Sequence, residues 1–379
     1  MFAADAGVAM ADHASRLAAV RDDLDADALV LGPGPDCHYC TGFYGEPGDR
    51  HALFVASRDG APAFVAPAAH VEQVRAICDR FPVRAVAANE PATVARVAAE
   101  ALADAGGVPD APTLAIDDAL PFAATRVLEA ALPADSVLES ASHALDPHRL
   151  AKDESERAAV RRAAGVADAV SEAVRSGTLV GRTEADVARE VRAGLHERGS
   201  VGVPFPVVVA SGPNAAQPWY RHGDREIAAG DPVVLDFGAV VDRYASDQTR
   251  TVVAGHADPP DEFAAVHDAV RAALDAGIEA VEPGVEAGAV DAAARDVLRE
   301  RGYADAFTHD TGHGVGLEAH EAPVVGPGSE TVLEPGVVLT VEPGVYLEGR
   351  FGVRVEELVC VTETGCEVLS GSVEGEEAR

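Results

Sequence analysis

Lysine is almost missing from this chain. One lysine, Lys152, stands among 379 residues, so arginine supplies 29 of the 30 basic side chains, set against 63 acidic ones. A net charge of −33 leaves no basic stripe for a phosphate backbone, and nucleic acid and anionic membrane are excluded as partners. Long hydrophobic runs are missing too, and no window reaches the roughly 18 uncharged apolar residues that a membrane span needs. Between Met1 and Val20 the charges of Asp5, Asp12, His13 and Arg16 interrupt any secretory core. Cysteine is scarce, five in all, and only Cys37 and Cys40 stand at C-x-x-C spacing. No second pair completes a zinc site. The stretch His38-Tyr-Cys-Thr-Gly-Phe43 reads as strand running into loop, so its thiols are expected to be buried and idle.

What is present is a folded pattern. Hydrophobic residues make up 47% and recur with a periodicity that a disordered acidic chain lacks. The acidic excess is spread along the sequence, as expected of a protein adapted to concentrated salt, where short Debye lengths screen self-repulsion. A salt-rich cytosol is the expected location. The length suits about two domains. Residues 1–147 alternate a helix near Asp12–Leu24, a strand at Ala28–Leu31, strands around Ala52–Ala56 and Ala63–Ala66, and a helix from about His70 to Phe81, which predicts a small α/β domain. A boundary is expected near Asp146-Pro147. Beyond it, Asp153 with Glu156 three residues later forms a capping-box start to a helix reaching Arg175.

Residues 148–379 contain an internal repeat. Gly181–Gly199 and Gly284–Gly302 have equal length, lie 103 residues apart, and end in Leu-His-Glu-Arg-Gly and Leu-Arg-Glu-Arg-Gly. Each follows another helix, about Asp153–Arg175 and about Asp261–Val281, and each precedes β-rich sequence with paired acids. The fold class is α/β (α+β), with two pseudo-symmetric halves in the second domain and a site between those halves.

The acids carry the chemistry. In the first half Asp236 and Asp247 flank a polar centre at Asp242-Arg243, which reads as a hairpin with Asp236 opposite Asp247. In the second half Glu342 and Glu356 are symmetric about Gly349 and should face each other likewise. Like charges opposite one another in apolar strands are costly, and a bound cation removes that cost. Between the hairpins lies His309-Asp-Thr-Gly-His313-Gly-Val-Gly-Leu-Glu-Ala-His320. The glycines argue against a helix there and for close backbone approach, which leaves His313 free to ligate. Carboxylates with one imidazole suit Mn²⁺, Co²⁺, Fe²⁺ or Zn²⁺. Four carboxylates exceed the needs of one divalent ion, so two ions sharing a bridging, acidified water are expected, which is a hydrolytic arrangement.

These motifs, Asp-Phe-Gly, Ser-Asp-Gln-Thr-Arg-Thr, Gly-His-Gly-Val-Gly-Leu-Glu-Ala-His-Glu, Val-Glu-Pro-Gly-Val-Tyr and Gly-Val-Arg-Val-Glu-Glu, stand in an order that resembles the pita-bread metallopeptidases, in their Xaa-Pro aminopeptidase and prolidase branch. Tyr39-Cys-Thr-Gly-Phe43 resembles the creatinase/prolidase N-terminal domain. The resemblance implies cleavage of short peptides after an N-terminal residue that precedes proline, a pair of metal ions (Mn²⁺ foremost) and a homodimer. It implies that Asp247 and Glu356 bridge both ions, that Asp236 binds one, and that His313 and Glu342 bind the other. Glu342 would also move the proton from water to the leaving nitrogen. His320 would steady the tetrahedral intermediate or scissile carbonyl, His309 would face the substrate, and Arg354 would support the bridging glutamate. One departure stands out: Trp219 occupies the place after Pro218 where the family usually has a pocket histidine. It is either a packing residue or an altered pocket wall, and His222 is a candidate substitute. Alternatives are a creatinase-like hydrolase or a silent binding module, both of which tend to lose ligands kept here, and a methionine aminopeptidase, which lacks the N-terminal domain.

Overall fold

The computed structural model describes residues 12–45, 52–87, 90–106 and 108–371. Asp5, part of the argument against a secretory core, lies outside them. The described chain divides into two compact units between Arg149 and Leu150.

The first unit runs α1 (His13–Asp22), β1 (Ala28–Leu31), α2 (Pro35–Thr41), β2 (Leu53–Ser57), β3 (Ala63–Pro67), α3 (Val71–Ile77), β4 (Val83–Val86), α4 (Pro91–Ala105), β5 (Thr113–Ile116), α5 (Phe122–Ala131), β6 (Val137–Ser140) and α6 (Ser142–Leu150). Its strands form one mixed sheet in the order β4-β3-β2-β1-β5-β6. Strands β1, β2 and β3 are buried at every position and apolar except for Ser57 at the end of β2, as suits strands covered on both faces. The alanine and valine stripe of α4 packs with β1, β2 and β3 on one face. Phe43, Phe54, Phe64 and Phe81 meet at 5.0–6.0 Å between ring centres.

One local expectation is corrected here. Cys37 and Cys40 stand in helix α2, not in a strand-to-loop segment, because Pro35 starts the helix and Gly42, at φ +81°, ends it. Both thiols are free and buried, and burial pushes the Cys37 thiol up. Pro147, near which the domain boundary is expected, lies inside α6.

The second unit opens on α7 (Glu154–Arg175), whose capping box is complete: Asp153 accepts from Glu156 N, and Glu156 accepts from Asp153 N at 2.9 Å. There follow α8 (Glu184–Glu197), β7 (Val208–Ser211), β8 (Pro232–Asp236), β9 (Val240–Val241), β10 (Tyr244–Ala245), β11 (Thr249–Val253), α9 (Phe263–Glu279), α10 (Ala287–Glu300), β12 (Gly312–Gly314), β13 (Glu321–Val325), β14 (Val338–Val341), β15 (Gly344–Leu347), β16 (Phe351–Arg354), β17 (Glu357–Thr362) and β18 (Gly365–Val368).

The repeat is real in three dimensions. Helices α8 and α10 are each 14 residues long and start 103 residues apart. Each is bracketed by glycines with positive φ, Gly181 and Gly199 in one half and Gly284 and Gly302 in the other. A bridge before each helix pairs Thr183 with Glu226 and Glu286 with Val332. Helices α7 and α8 cover β7-β8-β11 in one core, while α9 and α10 cover β13-β12-β14-β17-β18 in another. Close approach sets residue choice: a Cβ on Gly277 of α9 would lie 2.7 Å from Val341.

Candidate active site

The first acidic pair comes from the end of β8, Asp236, and from Asp247, two residues before β11. Asp236 pairs with Thr249 in the ladder, not with Asp247. The hairpin centres between Asp242 and Arg243, whose φ of 50° and 75° make the two-residue turn, and β9 pairs with β10 around it. The expected register therefore slips by two residues. Side chains alternate with a period of two, so Asp247 stays on the face that carries Asp236 and lies diagonal to it.

In the second half one register, centred on Gly349, runs through both β15–β16 and β14–β17. Glu342 and Glu356 occupy the interruption between these ladders, where symmetry about Gly349 predicts them. Their backbone N–H groups turn elsewhere: Glu342 donates to Thr311 O at 2.7 Å and Glu356 to Thr249 O at 3.1 Å. The latter bond joins the two halves beside the acids. Thr251 and Arg354 exchange two more bonds nearby.

His313 is carried on β12, with β13 on one side and β14 on the other. Its neighbours must be glycine, since a Cβ on Gly312 or Gly314 would fall 2.0 Å from the carbonyl oxygen of Thr340 or Ala322. Nδ1 of His313 donates to Gly314 O at 3.1 Å. Its Nε2 faces Glu342 Oε1 at 3.2 Å and Asp247 Oδ2 at 3.8 Å.

Oxygens of Asp236, Asp247 and Glu356 lie within 4.8 Å of one another. Burial pushes Asp247 well above the usual carboxylate range, with Glu356 and Asp236 adding to the push. Burial does the same to Glu356, reinforced by Glu342 and Asp236. Asp236 is raised by burial against the pull of Arg354. At Glu342 burial also opposes ionisation, but the His313 hydrogen bond and the charges of His313 and Arg354 prevail and hold it at about 2. Asp247 Oδ1 and Glu356 Oε1 are buried with no hydrogen-bond donor, which native interiors rarely tolerate. Bare oxygens among crowded acids, beside an imidazole whose other nitrogen is engaged, are a donor set suited to hard or borderline divalent metal ions.

Around the acids lies a supporting ring. Thr249 Oγ1 donates to Glu356 Oε2 at 2.7 Å and accepts from Arg354 Nε at 3.2 Å. Thr340 Oγ1 lies 3.3 Å from Glu342 Oε1. Arg354 also donates to Asp236, and its Nη1 reaches Tyr346 Oη at 2.8 Å. Tyr346 Oη is 2.9 Å from His309 Nε2, so His309 joins the cluster through a tyrosine. Burial pushes that phenol up to about 12, so a neutral hydroxyl stands between Arg354 and His309. Tyr346, Thr249 and Thr340 escaped sequence reasoning, yet a signal existed: each lies two or four residues from an acid in an extended segment, hence on the same face.

The outer histidines and Trp219 differ in placement. The His320 ring packs on that of His313 with centres 4.0 Å apart, and Phe205 approaches it at 6.4 Å. Arg354 Nη1 donates to Pro218 O at 3.2 Å, which brings the stretch bearing Trp219 to the cluster. Trp219 is 78% exposed, so within this chain it is not a packing residue. His222 Nδ1 bonds to Val207 O at 2.9 Å.

The sequence profile of metallopeptidase family M24 matches residues 157–363, and that of the creatinase/prolidase N-terminal domain matches residues 14–151. The chain is 38% identical over 366 residues to the probable dipeptidase PepE of Mycobacterium tuberculosis, with 93% of each protein covered. It superposes on the Xaa-Pro dipeptidase from Bacillus anthracis with a TM-score of 0.85 at 31% identity, covering 96% of this chain and 98% of that one. For the recombinant prolidase from Thermococcus sibiricus the TM-score is 0.88 at 30% identity, with coverage of 96% and 98%.

Proposed function

Because this chain belongs to metallopeptidase family M24, with a creatinase/prolidase N-terminal domain, we propose that it hydrolyses the bond between an N-terminal residue and proline in short peptides. It is a metallopeptidase of the pita-bread fold, and the Xaa-Pro dipeptidase and the prolidase among its structural relatives support the Xaa-Pro specificity. Catalysis is assigned to residues 148–379, and residues 1–147 form the N-terminal domain. Asp236, Asp247, His313, Glu342 and Glu356 would hold two divalent ions, with Asp247 and Glu356 shared between them. When bound, the ions supply the Lewis acidity that makes a water nucleophilic near neutral pH and polarises the scissile carbonyl.

The side chains do the rest. Glu342 accepts the proton of the attacking water and passes it to the leaving nitrogen. His320, seated on His313, donates to the oxygen that gains charge. His309, held by Tyr346, faces the substrate, and Arg354 orients Asp236 and Thr249. Trp219 and His222 form the wall where the family usually places a histidine, and an exposed indole there supports a shifted proline preference. The observation that carries the reading is the pair of donorless buried oxygens on Asp247 and Glu356 within a four-acid cluster.

Mn²⁺ is the first choice of ion, ahead of Co²⁺, Zn²⁺ and Fe²⁺. The protein is proposed to act as a homodimer, as the family resemblance implies, and in a salt-rich cytosol, which its net charge of −33 supports. No helix among the described residues is long and apolar enough to cross a membrane. The test is metal analysis joined to assays in molar salt on Xaa-Pro dipeptides, longer Xaa-Pro peptides and Met-peptides. Two ions per chain with turnover of Xaa-Pro substrates is the expected result. Turnover of Met-peptides alone, or of no peptide by metal-loaded protein, would overturn it.

A further inference from the structure

Glu184, the first residue of α8, is fully buried and takes no part in the acidic cluster. Its carboxylate is ringed by donors. Ser211 N and Ser211 Oγ donate to Oε1 at 2.8 and 2.7 Å, and Asn214 Nδ2 reaches both oxygens at 3.0 and 3.2 Å. Tyr220 Oη and Gly223 N each donate to Oε2 at 3.0 Å. All these donors come from residues 211–223, the stretch that leaves β7 and leads toward β8. Arg225 extends the network, donating to Ser211 Oγ and Asp231 Oδ2 at 2.6 Å each. A carboxylate accepting from two backbone and three side-chain groups holds that stretch in one geometry.

The helix itself does not require this acid. Helix α10 repeats α8 at an offset of 103, with the same length and the same flanking glycines, and the position matching Glu184 is Ala287, equally buried. The second half places its buried acid elsewhere on the helix. Asp291 of α10 accepts from Thr311 Oγ1 at 2.8 Å and from Arg295, which in turn donates to His309 O at 3.0 Å. Each repeat helix therefore directs one buried carboxylate to its own site-bordering stretch.

The stretch that Glu184 holds touches the site. Pro218 O accepts from Arg354, and the Ala215 carbonyl sits so close to β16 that a Cβ on Gly352 would come within 2.1 Å of it. Trp219 and His222 ride on the same stretch. We propose that Glu184 is a positioning residue that fixes residues 211–223 against Arg354 and so sets substrate selectivity. This rests on the peptidase reading above.

Trp219 is the only tryptophan in the chain, so its fluorescence reports on the stretch directly. Glu184→Gln points an amide N–H₂ into a ring of donors and leaves at least one unpaired. In the metal-loaded full chain, this variant should lower the Trp219 anisotropy and raise KM for an Xaa-Pro dipeptide by about five- to tenfold. It should leave kcat within about twofold and metal content unchanged. Tyr220→Phe deletes one donor, keeps the acid, and should move both readouts the same way by less; it decides the matter if Glu184→Gln does not fold. Unchanged anisotropy and KM, or a loss confined to kcat, overturns the assignment. Wild-type protein that hydrolyses no peptide would sink the peptidase reading instead, and the anisotropy would still judge the clamp.

Discussion

Asp247 is the side chain whose loss should matter most, because it is buried, lies between acids of both halves, and has one oxygen with no donor. Replacing it with Asn is expected to lower turnover by more than about a hundredfold and to reduce bound metal, measured by elemental analysis after gel filtration. Full activity in that variant would refute the bridging role. Thr249→Val probes the next layer: it deletes the 2.7 Å bond to Glu356 and should weaken metal affinity by roughly 10–100-fold while leaving the fold intact. In the first unit, burial raises Asp117 to about 6 although Gly32 N and Ala119 N donate to it. Its protonated form is favoured in the folded chain. The resulting stabilisation is full below the unfolded pKa near 4 and is lost as pH rises through 6, an effect of about 3 kcal/mol. A carboxyl ¹³C titration should find a midpoint near 6 that Asp117→Asn removes. The four acids and one histidine at the centre were legible because each sits in a distinctive apolar or glycine-rich run. Tyr346 and Thr249 were not, since tyrosine and threonine are ordinary strand residues and only their spacing from an acid hinted at a role until their hydrogen-bond partners were known.

Glycines separate two ways in which an element depends on one position. Gly312 in β12 lacks room: an added Cβ would meet Thr340 O at 2.0 Å. Gly312→Ala should destabilise the unit by about 1–3 kcal/mol and also impair activity, because His313 must move with the strand. Gly302 after α10 has open space but a φ of +84°, so Gly302→Ala should cost about 1–2 kcal/mol and leave kcat/KM unchanged. Thermal melts paired with a dipeptide assay check both. The repeat could be read from the sequence because its glycines terminate helices of one length. The β15–β16 register could be read because Gly349, at φ +71°, marks the turn. The β8–β11 register could not, since Asp242 and Arg243 adopt positive φ without a glycine to announce it. The strand order of the first unit was equally hidden, because strands buried on both faces carry no alternation from which to choose neighbours.

At the scale of the molecule, charge and its distribution decide the response to solvent. Exposed ion pairs such as Arg75–Glu72, Arg96–Glu100 and Arg126–Glu129 contribute at most about 1 kcal/mol each, and salt weakens them. With 63 acids to 30 bases, however, about half the carboxylates have no cation to pair with, and their mutual repulsion outweighs what those pairs contribute. Added salt should therefore raise the melting midpoint, by several degrees between about 0.1 and 2 M sodium chloride; a falling midpoint would contradict this balance. Lys152 is 3% exposed, and its Nζ bonds to Glu321 at 2.7 Å and to Leu150 O at 3.1 Å. An amine-reactive ester should leave it unmodified in the folded protein and acylate it once after denaturation, as intact-mass spectrometry would show. Tagging, cross-linking and surface attachment through side-chain ammonium groups thus have a single address in 379 residues, and folding shuts it against a glutamate next door to His320.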